Sequence, residues 1–265
     1  MRNKLWILVA LCALALMVAC GGGKQEAASS AGQSAPTAGT PSAPTAATPA
    51  ADTGNSTVSG KATYNGPDPD TAIAMNADPV CAGLHKEPVD TSKVVVKGGN
   101  LANVFVYVKT GLEGKSFPVP TEKAMIDQQG CLYHPRIQGV RVGQTLVIRN
   151  SDPTLHNIHA LPVKNQEFNQ GQPFQKMEFE KKFDKPEVMV HFKCDVHPWM
   201  TAYMGVLDHP FFAVTNEDGT FTIPKLPAGK YTLEAWHEYL GTVDQDVTVT
   251  PGQTVTANFD FKPKP

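Results

Sequence analysis

The sequence predicts an all-β protein, because three observations agree. The readable apolar segments are short, alternate apolar with polar residues, and stop at turn signals such as Asn65-Gly66-Pro67. Twenty-two glycines and twenty-two prolines among 265 residues favour many turns. No helical periodicity continues beyond two turns. Short strands separated by regular turns are typical of β-sandwiches.

The strands are predicted in chain order from alternation, from β-branched runs and from the turns that bound them. Residues 57–64 alternate, and residues 94–96 and 104–108 are valine-rich runs near glycines. The further predicted strands cover residues 144–149, 178–183, 187–192, 205–207, 211–214, 221–223, 231–236, 243–250 and 254–261.

The first 56 residues are not expected to join the fold. Residues 1–19 have a basic start, with Arg2 and Lys4, then an apolar run and a small residue at the end, which predicts a signal peptide. Its fifteen apolar positions are fewer than the roughly 20 that a membrane span needs. Residues 20–56 are rich in Ala, Pro, Thr and Ser and lack large apolar side chains, which predicts a disordered tether.

Composition and motifs exclude several function classes. The 23 basic and 25 acidic residues give a net charge of −2, so we expect no nucleic-acid partner. The chain has no glycine-rich phosphate loop, no Gly-x-Ser-x-Gly elbow and no Cys-x-x-Cys-His haem motif. No acid–base pair or nucleophile–base pair is visible either, so we expect that the protein is not an enzyme.

The cysteine count predicts one thiol that has no disulfide partner. Cys12 leaves with the signal peptide and Cys20 follows its end, so Cys81, Cys131 and Cys194 remain. An exported protein meets an oxidising compartment, where an unpaired thiol is a liability. Metal coordination deprotonates and protects such a thiol.

Cys81 and Cys131 leave three alternatives open. A disulfide between them suits the compartment, and its separation of 50 residues is worth about 3–4 kcal/mol in the chain-entropy model. Cys81, His85, Cys131 and His134 could instead form a second metal site with zinc-like ligands. Free thiols are the third alternative.

The strongest chemical pattern combines a thiol, two imidazoles and a thioether. Cys194, His197 and Met200 lie on one short segment, and His156 lies 38 residues before Cys194. Two imidazoles, a thiolate and a weak axial methionine form the ligand set of a blue-copper site. Copper is therefore the expected cofactor.

This segment resembles the copper loop of the amicyanin and plastocyanin cupredoxins. Two residues separate Cys194 from His197 and two more precede Met200, as in the short amicyanin type. Residues 156–159 resemble the family's His-Asn-Val-His, and residues 142–145 resemble its strand entry. The resemblance covers residues 121–208 and implies a cupredoxin Greek-key β-sandwich.

By that resemblance His156, Cys194, His197 and Met200 are the ligands of one type 1 copper ion. Asn157 would donate a hydrogen bond toward the Cys194 sulfur. Two rivals remain: Met204 as axial ligand, because longer cupredoxin loops exist, and His159, although in the family the first histidine of the pair binds.

The resemblance also implies where electrons pass. The far edge of His197 would reach solvent, and Leu155, Pro198 and Trp199 would form an apolar docking patch for a redox protein partner. Separately, Met17-Val18-Ala19-Cys20 resembles the bacterial lipobox, so lipid on Cys20 would anchor the protein to a membrane, facing the periplasm or the exterior.

Residues 216–223 and 226–233 resemble the carboxypeptidase regulatory-like domain, a transthyretin-like β-sandwich. The opening strands of such a domain are missing just before residue 209, whereas residues 59–64 and 104–108 resemble them. We therefore expect that residues 57–120 and 209–265 form one sandwich and that the cupredoxin domain, residues 121–208, is inserted between them.

These patterns favour a lipid-tethered copper protein that carries single electrons. One alternative is a copper chaperone or sensor that binds the metal without redox shuttling. The other is a binding lipoprotein without metal, with Trp199 and Trp236 as platforms for a ligand. The cysteine–histidine–methionine loop disfavours the last of these.

Overall fold

The structure, a computed structural model, describes residues 53–263. This part of the chain consists almost wholly of strands, with one short helix α1, Pro79–Leu84, and a 3₁₀ turn, Met75–Ala77. The predicted all-β class is confirmed. The strands are β1 Ser56–Tyr64, β2 Val96–Lys97, β3 Asn100–Leu101, β4 Phe105–Thr110, β5 Ala124–Gln129, β6 Leu132–His134, β7 Ile137–Arg141, β8 Leu146–Asn150, β9 His156–Leu161, β10 Phe168–Gln172, β11 Met177–Lys181, β12 Glu187–Lys193, β13 Thr201–Leu207, β14 Phe212–Val214, β15 Thr220–Leu226, β16 Gly229–His237, β17 Gly241–Val249, β18 Thr254–Thr256 and β19 Phe259–Phe261.

Strands from both ends of the described chain form one β-sandwich, which we name the terminal sandwich. One sheet has the order β15-β1-β3-β2, and β18 and β19 also pair with β1. The other sheet has the order β14-β4-β16-β17. Alternation along β1 buries Val58, Ala62 and Tyr64 against residues of the second sheet such as Val106 and Leu233. The last strands therefore complete a fold that the first strand begins.

The strands between them form a second β-sandwich, which we name the central sandwich. Its sheets have the orders β10-β9-β12-β13-β7 and β11-β8-β5-β6. The core holds Ile148, Ile158 and Phe192, and the buried side chains of Cys194 and Met200 belong to the same cluster. The candidate metal ligands thus lie at the edge of a packed apolar core.

The two sandwiches contact each other through aromatic rings that pack on glycines. Phe105 of β4 is fully buried and stacks on Phe212, with ring centroids 5.6 Å apart. A Cβ atom added at Gly205 would lie 2.4 Å from the Phe105 ring, and one added at Gly139 would lie 2.3 Å from the Phe212 ring. Glycine at these two positions lets the rings approach the sheet closely.

Arg141 ties together the two segments that connect the sandwiches. Its guanidinium is buried and donates hydrogen bonds to the carbonyl oxygens of Phe117 and Pro118, at 3.2 and 3.1 Å. It also donates to those of Leu207 and Asp208, at 3.3 and 2.7 Å. The chain enters the central sandwich through the first pair and leaves it through the second.

Residues 73–84, which we name the cap, contain the 3₁₀ turn and α1. The Asp78 side chain accepts hydrogen bonds from the backbone N–H groups of Val80 and Cys81, which is an N-cap. Pro79 occupies the first helical position, where its missing N–H costs nothing. Met75 and Cys81 are buried in the core of the central sandwich. The cap therefore packs on the central sandwich, although the sequence assigned residues 57–120 to the other one.

Sequence patterns found the strongly alternating strands and missed the polar ones. The predicted strand at 57–64 corresponds to β1, and that at 187–192 corresponds to β12. No strand was predicted at β9 or β10, because polar residues interrupt their alternation. The predicted signal peptide, Cys20 and residues 20–52 of the tether lie outside the described residues. The predicted end of the tether at residue 56 is wrong, because Ser56 begins β1 and the backbone N–H of Gly54 donates to the carbonyl oxygen of Lys225 at 2.9 Å. Among the residues that are described, no helix has the length and apolar character of a membrane span.

Candidate metal centre

Three potential metal-ligand atoms converge at one end of the central sandwich. The Nδ1 atoms of His156 and His197 lie 2.9 Å apart, and the Cys194 sulfur lies 3.9 Å from the His197 Nδ1. All three side chains are at most 2% exposed. Metal–nitrogen and metal–sulfur bonds measure about 2.0–2.3 Å, so donors at these separations can share one ion.

Strand β9 directs His156 inward and His159 outward. Its first residue His156 is fully buried, and Ile158 and Ala160 follow on the same inner face. His159 points to the other face, where its Nδ1 lies 3.0 Å from Asp195 and its Nε2 lies 2.8 Å from Glu167. His159 therefore does not join the three converging atoms.

A tight turn after β12 brings Cys194, His197 and Met200 together. The backbone N–H of Met200 donates to the carbonyl oxygen of His197 at 2.9 Å, and that of Cys194 donates to the carbonyl oxygen of Met200 at 3.3 Å. Met200 is fully buried in the same core cluster as Cys194. Met204 of β13 instead pairs with Val190 of β12, four residues before Cys194. The backbone thus places Met200, rather than Met204, beside the cysteine.

Asn157 links the two ligand segments, and its backbone rather than its side chain donates to the Cys194 sulfur. Its Oδ1 accepts a hydrogen bond from the Asp195 backbone N–H at 2.7 Å and one from the Cys194 thiol at 3.2 Å. Its Nδ2 donates to Asn169 and Asp195. The side chain therefore does not donate to the sulfur, and the backbone N–H of Asn157 does so instead.

A carboxylate lies behind each imidazole. The Nε2 of His156 is 2.9 Å from Oδ2 of Asp152, and the Nε2 of His197 is 3.0 Å from Oδ2 of Asp78. A neutral imidazole carries one proton, so donation from Nε2 leaves a lone pair on Nδ1. A shared proton can bridge the two Nδ1 atoms at 2.9 Å in the metal-free protein, and its loss frees both lone pairs for a metal ion. The donor set therefore fits a metal ion.

The same contacts shift the ionisation of these groups. Burial raises the pKa of Cys194, but hydrogen bonds from His156 and from the backbone N–H groups of Asn157, Val196 and His197 outweigh burial and lower the pKa. The hydrogen bond from His197 lowers the pKa of Asp78. The site therefore favours the thiolate, which is the form that binds a metal.

His197 is covered, whereas the resemblance implied that its far edge reaches solvent. Its side chain is only 2% exposed, because Asp78 and Cys81 of the cap lie against its Nε2, at 3.0 and 3.5 Å. A cleft of about 620 Å³ remains between the cap and the ligand loop, and the His197 and Trp199 rings line it. The expectation of an open edge is wrong because a segment from outside the resembling range covers it.

The residues of the predicted docking patch differ in exposure. Leu155 is 43% exposed and Pro198 is exposed. Trp199 is half-buried, its ring lies 5.1 Å from that of His197, and its Nε1 donates to the carbonyl oxygen of Cys131 at 3.0 Å. Trp199 therefore holds the ligand loop against the turn that contains Cys131.

Cys81 and Cys131 form a disulfide bond, with a sulfur–sulfur distance of 2.07 Å. Cys194 is the free cysteine of the described chain. His85 and His134 contact main-chain carbonyl oxygens, those of Gly130 and Gln129, at 2.7 and 3.1 Å. The four residues therefore do not form the alternative zinc-like set.

Sequence reasoning missed the two carboxylates. Asp78 has a local signal, because an aspartate followed by Pro79 is typical of a helix N-terminus. Asp152 lies in a turn just before β9. Neither signal shows that the side chain reaches an imidazole, and Asp78 is 119 residues away from His197 in the chain.

The comparison with protein families identifies part of the terminal sandwich. Residues 207–262 match the carboxypeptidase regulatory-like domain, which confirms the resemblance seen in residues 216–233. No curated protein matches the chain.

Several solved structures are similar to part of the chain. A novel purple cupredoxin from Nitrosopumilus maritimus is 24% identical over 32% of this chain and 99% of its own, with a TM-score of 0.28. A methionine-to-alanine mutant of amicyanin in its Cu(I) form is 18% identical over 38% of this chain and 97% of its own, with a TM-score of 0.29. The copper-containing nitrite reductase of Thermus scotoductus SA-01 is 18% identical over 38% of this chain, with a TM-score of 0.31, and the match spans only 25% of that enzyme. Residues 207–262 thus match the carboxypeptidase regulatory-like domain, and the solved structures similar to part of the chain include cupredoxins.

Proposed function

We propose that the protein is a membrane-tethered electron carrier with one type 1 copper ion, held by His156, Cys194, His197 and Met200. The observation that carries the proposal is the convergence of the Cys194 sulfur with the two Nδ1 atoms. Two imidazoles and a thiolate with a weak methionine are the donors that copper takes in electron-transfer sites. The buried Met200 beside Cys194 supplies the fourth donor type.

Copper would supply a one-electron couple, and the chain would hold its ligands still. His156 begins a central strand of a five-stranded sheet, and Cys194 follows the strand paired with it. Each imidazole is held from behind by a carboxylate, and the sulfur accepts hydrogen bonds from backbone N–H groups. Ligands restrained in this way move little when the charge changes, which favours rapid electron transfer.

The site favours electron transfer over catalysis. The three converging side chains are at most 2% exposed, and Met200 is fully buried in the same core cluster as Cys194. A catalytic metal site instead keeps a position open for water or substrate. We therefore propose that the protein is not an enzyme.

Electrons would enter and leave through the cleft beside His197. The cleft separates the cap from the ligand loop, and its walls are mainly apolar, with Ile73, Ala77 and Val196 beside the imidazole. An apolar side chain of a redox protein partner could fill such a cleft and approach the ring. This route would replace the open ligand edge that the resemblance implied.

The rest of the chain would place this centre at a membrane. Lipid on Cys20 and the Ala/Pro/Thr-rich tether that follows it would hold the folded part at the cell envelope, facing the periplasm or the exterior. We also propose that the central sandwich is an insertion in the regulatory-like sandwich. The pairing of β1 with β15, β18 and β19 supports this organisation.

Copper binding without redox shuttling is the second candidate. The burial of His197 under the cap favours it, because a covered ligand exchanges electrons more slowly with a protein partner. Both candidates require the same ligands, so electrochemistry separates them.

The test is a copper titration of the purified protein, followed by voltammetry. We expect one equivalent of Cu(II) to produce an intense visible charge-transfer band, and Cys194→Ser to abolish it. His159→Gln is the matched control, and it should keep the band because His159 lies on the outer face. A reversible one-electron wave supports the carrier, and copper binding without such a wave supports the second candidate. A protein that binds no copper contradicts both.

A further inference from the structure

The disulfide bond lies between the two carboxylates that hold the imidazoles. On one side, the backbone N–H of Cys81 donates to Oδ1 of Asp78 at 3.2 Å. Oδ2 of the same carboxylate contacts the Nε2 of His197 at 3.0 Å. Cys81 is therefore connected to the proposed metal ligand His197 by hydrogen bonds through a single residue, Asp78.

The other end of the disulfide has the same relation to the second imidazole. The backbone N–H of Cys131 donates to Oδ2 of Asp152 at 2.7 Å, and that of Gly130 donates to Oδ1 at 2.8 Å. Oδ2 of Asp152 contacts the Nε2 of His156 at 2.9 Å. Gly130 and Cys131 have positive φ values of 63° and 54°, which are the angles of a two-residue hairpin turn. The turn thus directs two N–H groups at one carboxylate.

The disulfide connects segments that are distant in the chain. Cys81 belongs to the cap and Cys131 to the turn between β5 and β6, 50 residues later. Both residues are fully buried, and the Cys81 sulfur lies 3.5 Å from the Nε2 of His197. The bond therefore joins two backbone segments, distant in the chain, that each orient a carboxylate.

We propose that the Cys81–Cys131 disulfide, together with Asp78 and Asp152, is a brace that positions both imidazoles of the metal centre. Each carboxylate accepts the Nε2–H of one imidazole and so directs the Nδ1 lone pair of that ring at the shared point. Asp78 and Asp152 are positioning residues, and the disulfide sets the distance between them. The inference rests on the proposed copper function and adds that the disulfide acts on the metal centre as well as on the fold.

The test compares copper affinities, measured by competition with a chelator. Asp78→Ala and the pair Cys81→Ala with Cys131→Ala should each weaken copper binding by about 10–100-fold, which is the usual effect of losing a group that orients a metal ligand. Asp70→Ala is the matched control and should stay within about threefold of the wild type. Asp70 lies just before the cap, and its carboxylate holds Thr91 and the backbone of Lys93 rather than an imidazole.

The decisive measurement is the combination of the changes. If the disulfide acts through Asp78, the triple variant should bind copper no more than about threefold more weakly than the weaker of its two parents, because both changes remove one interaction. Losses that multiply would mean that the disulfide does not act through Asp78 and would overturn the brace. Asp78→Asn keeps an acceptor oxygen and should lose less affinity than Asp78→Ala.

Two outcomes separate this inference from the function on which it rests. A wild-type protein that binds no copper overturns the proposed function, and the brace with it. Wild-type copper binding that Asp78→Ala leaves unchanged overturns the brace alone. If the cysteine variants do not fold, Asp78→Ala and Asp78→Asn still decide, because they retain the disulfide.

Discussion

Replacing Gly205 by alanine would disturb the contact between the two sandwiches. The new Cβ would lie 2.4 Å from Cζ and 2.5 Å from Cε1 of Phe105. Carbon atoms in a protein core pack at about 3.5–4.0 Å, so the ring or the strand has to move by about 1 Å. Phe105 is fully buried and stacked on Phe212, which leaves the ring little room.

The size of the effect follows from this overlap. Forcing an extra carbon into a packed core costs about 1–3 kcal/mol. For a protein of this size, 1 kcal/mol shifts the Tm by about 2–4 °C, so the steric cost amounts to about 2–12 °C. Alanine also restricts the unfolded chain, which adds about 0.4–1 kcal/mol of stability. The control must therefore be a glycine-to-alanine change that restricts the unfolded chain in the same way but places its Cβ in contact with no other atom.

Gly171→Ala is that control. Gly171 lies in β10 of the same sheet, and a Cβ there would have no atom within 4 Å. The Tm of the two variants is measured by calorimetry on the metal-free protein. The Tm of Gly205→Ala should be about 2–12 °C lower than that of Gly171→Ala. Equal Tm values would refute the tight contact between Phe105 and the sheet. Copper affinity should be unchanged in both, because an added Cβ meets nothing within 4 Å at Gly171 and the Phe105 ring at Gly205.

Three further predictions concern the axial ligand, a buried histidine and a buried arginine. Met200→Leu should keep copper and raise the reduction potential measured by voltammetry, and a shift caused by Met204→Leu instead would contradict the axial assignment. Burial lowers the pKa of His209 to about 4 from its ordinary 6.5, so the unfolded state binds one more proton between these values. Stability that is present above about pH 6.5 should therefore fall by about 3 kcal/mol as the pH is lowered to about 4, and urea unfolding of His209→Gln should lack this part of the decline. Arg141→Met removes the guanidinium donor of four carbonyl oxygens, of which only that of Leu207 keeps a backbone donor within the described chain, the N–H of Val142. The change should cost about 2–4 kcal/mol in urea unfolding, whereas an unchanged midpoint would mean that water replaces the guanidinium.

The sequence predicts the parts of this protein whose determinants are local. Strands with regular alternation, such as β1 and β12, follow from the period of two residues. The three ligand residues of the loop after β12 also lie within one short segment, so their spacing alone indicates the chemistry. The fold class and the regulatory-like domain were predicted for the same reason.

The rest depends on contacts between distant residues, which leave no local pattern. Asp78 reaches His197 across 119 residues, and the helix α1 that it caps has only six residues, too few for a periodic signal. The coverage of His197 follows from that contact and so could not be anticipated. The acceptor role of the Asn157 side chain likewise depends on the backbone of Asp195, 38 residues away.

The strand order also determines when each sandwich can be completed as the chain is made. Val58 of β1 pairs with Ile223 of β15, 165 positions later, and β18 and β19 follow later still. The strands of the central sandwich all lie between residues 124 and 207. The central sandwich can therefore fold before β15, β18 and β19 have been synthesised. Until then β1 lacks these partner strands and exposes an unpaired edge. Pairings between such distant residues form slowly. We therefore expect the final folding step to be the pairing of β1 with β15, β18 and β19, after the central sandwich has formed.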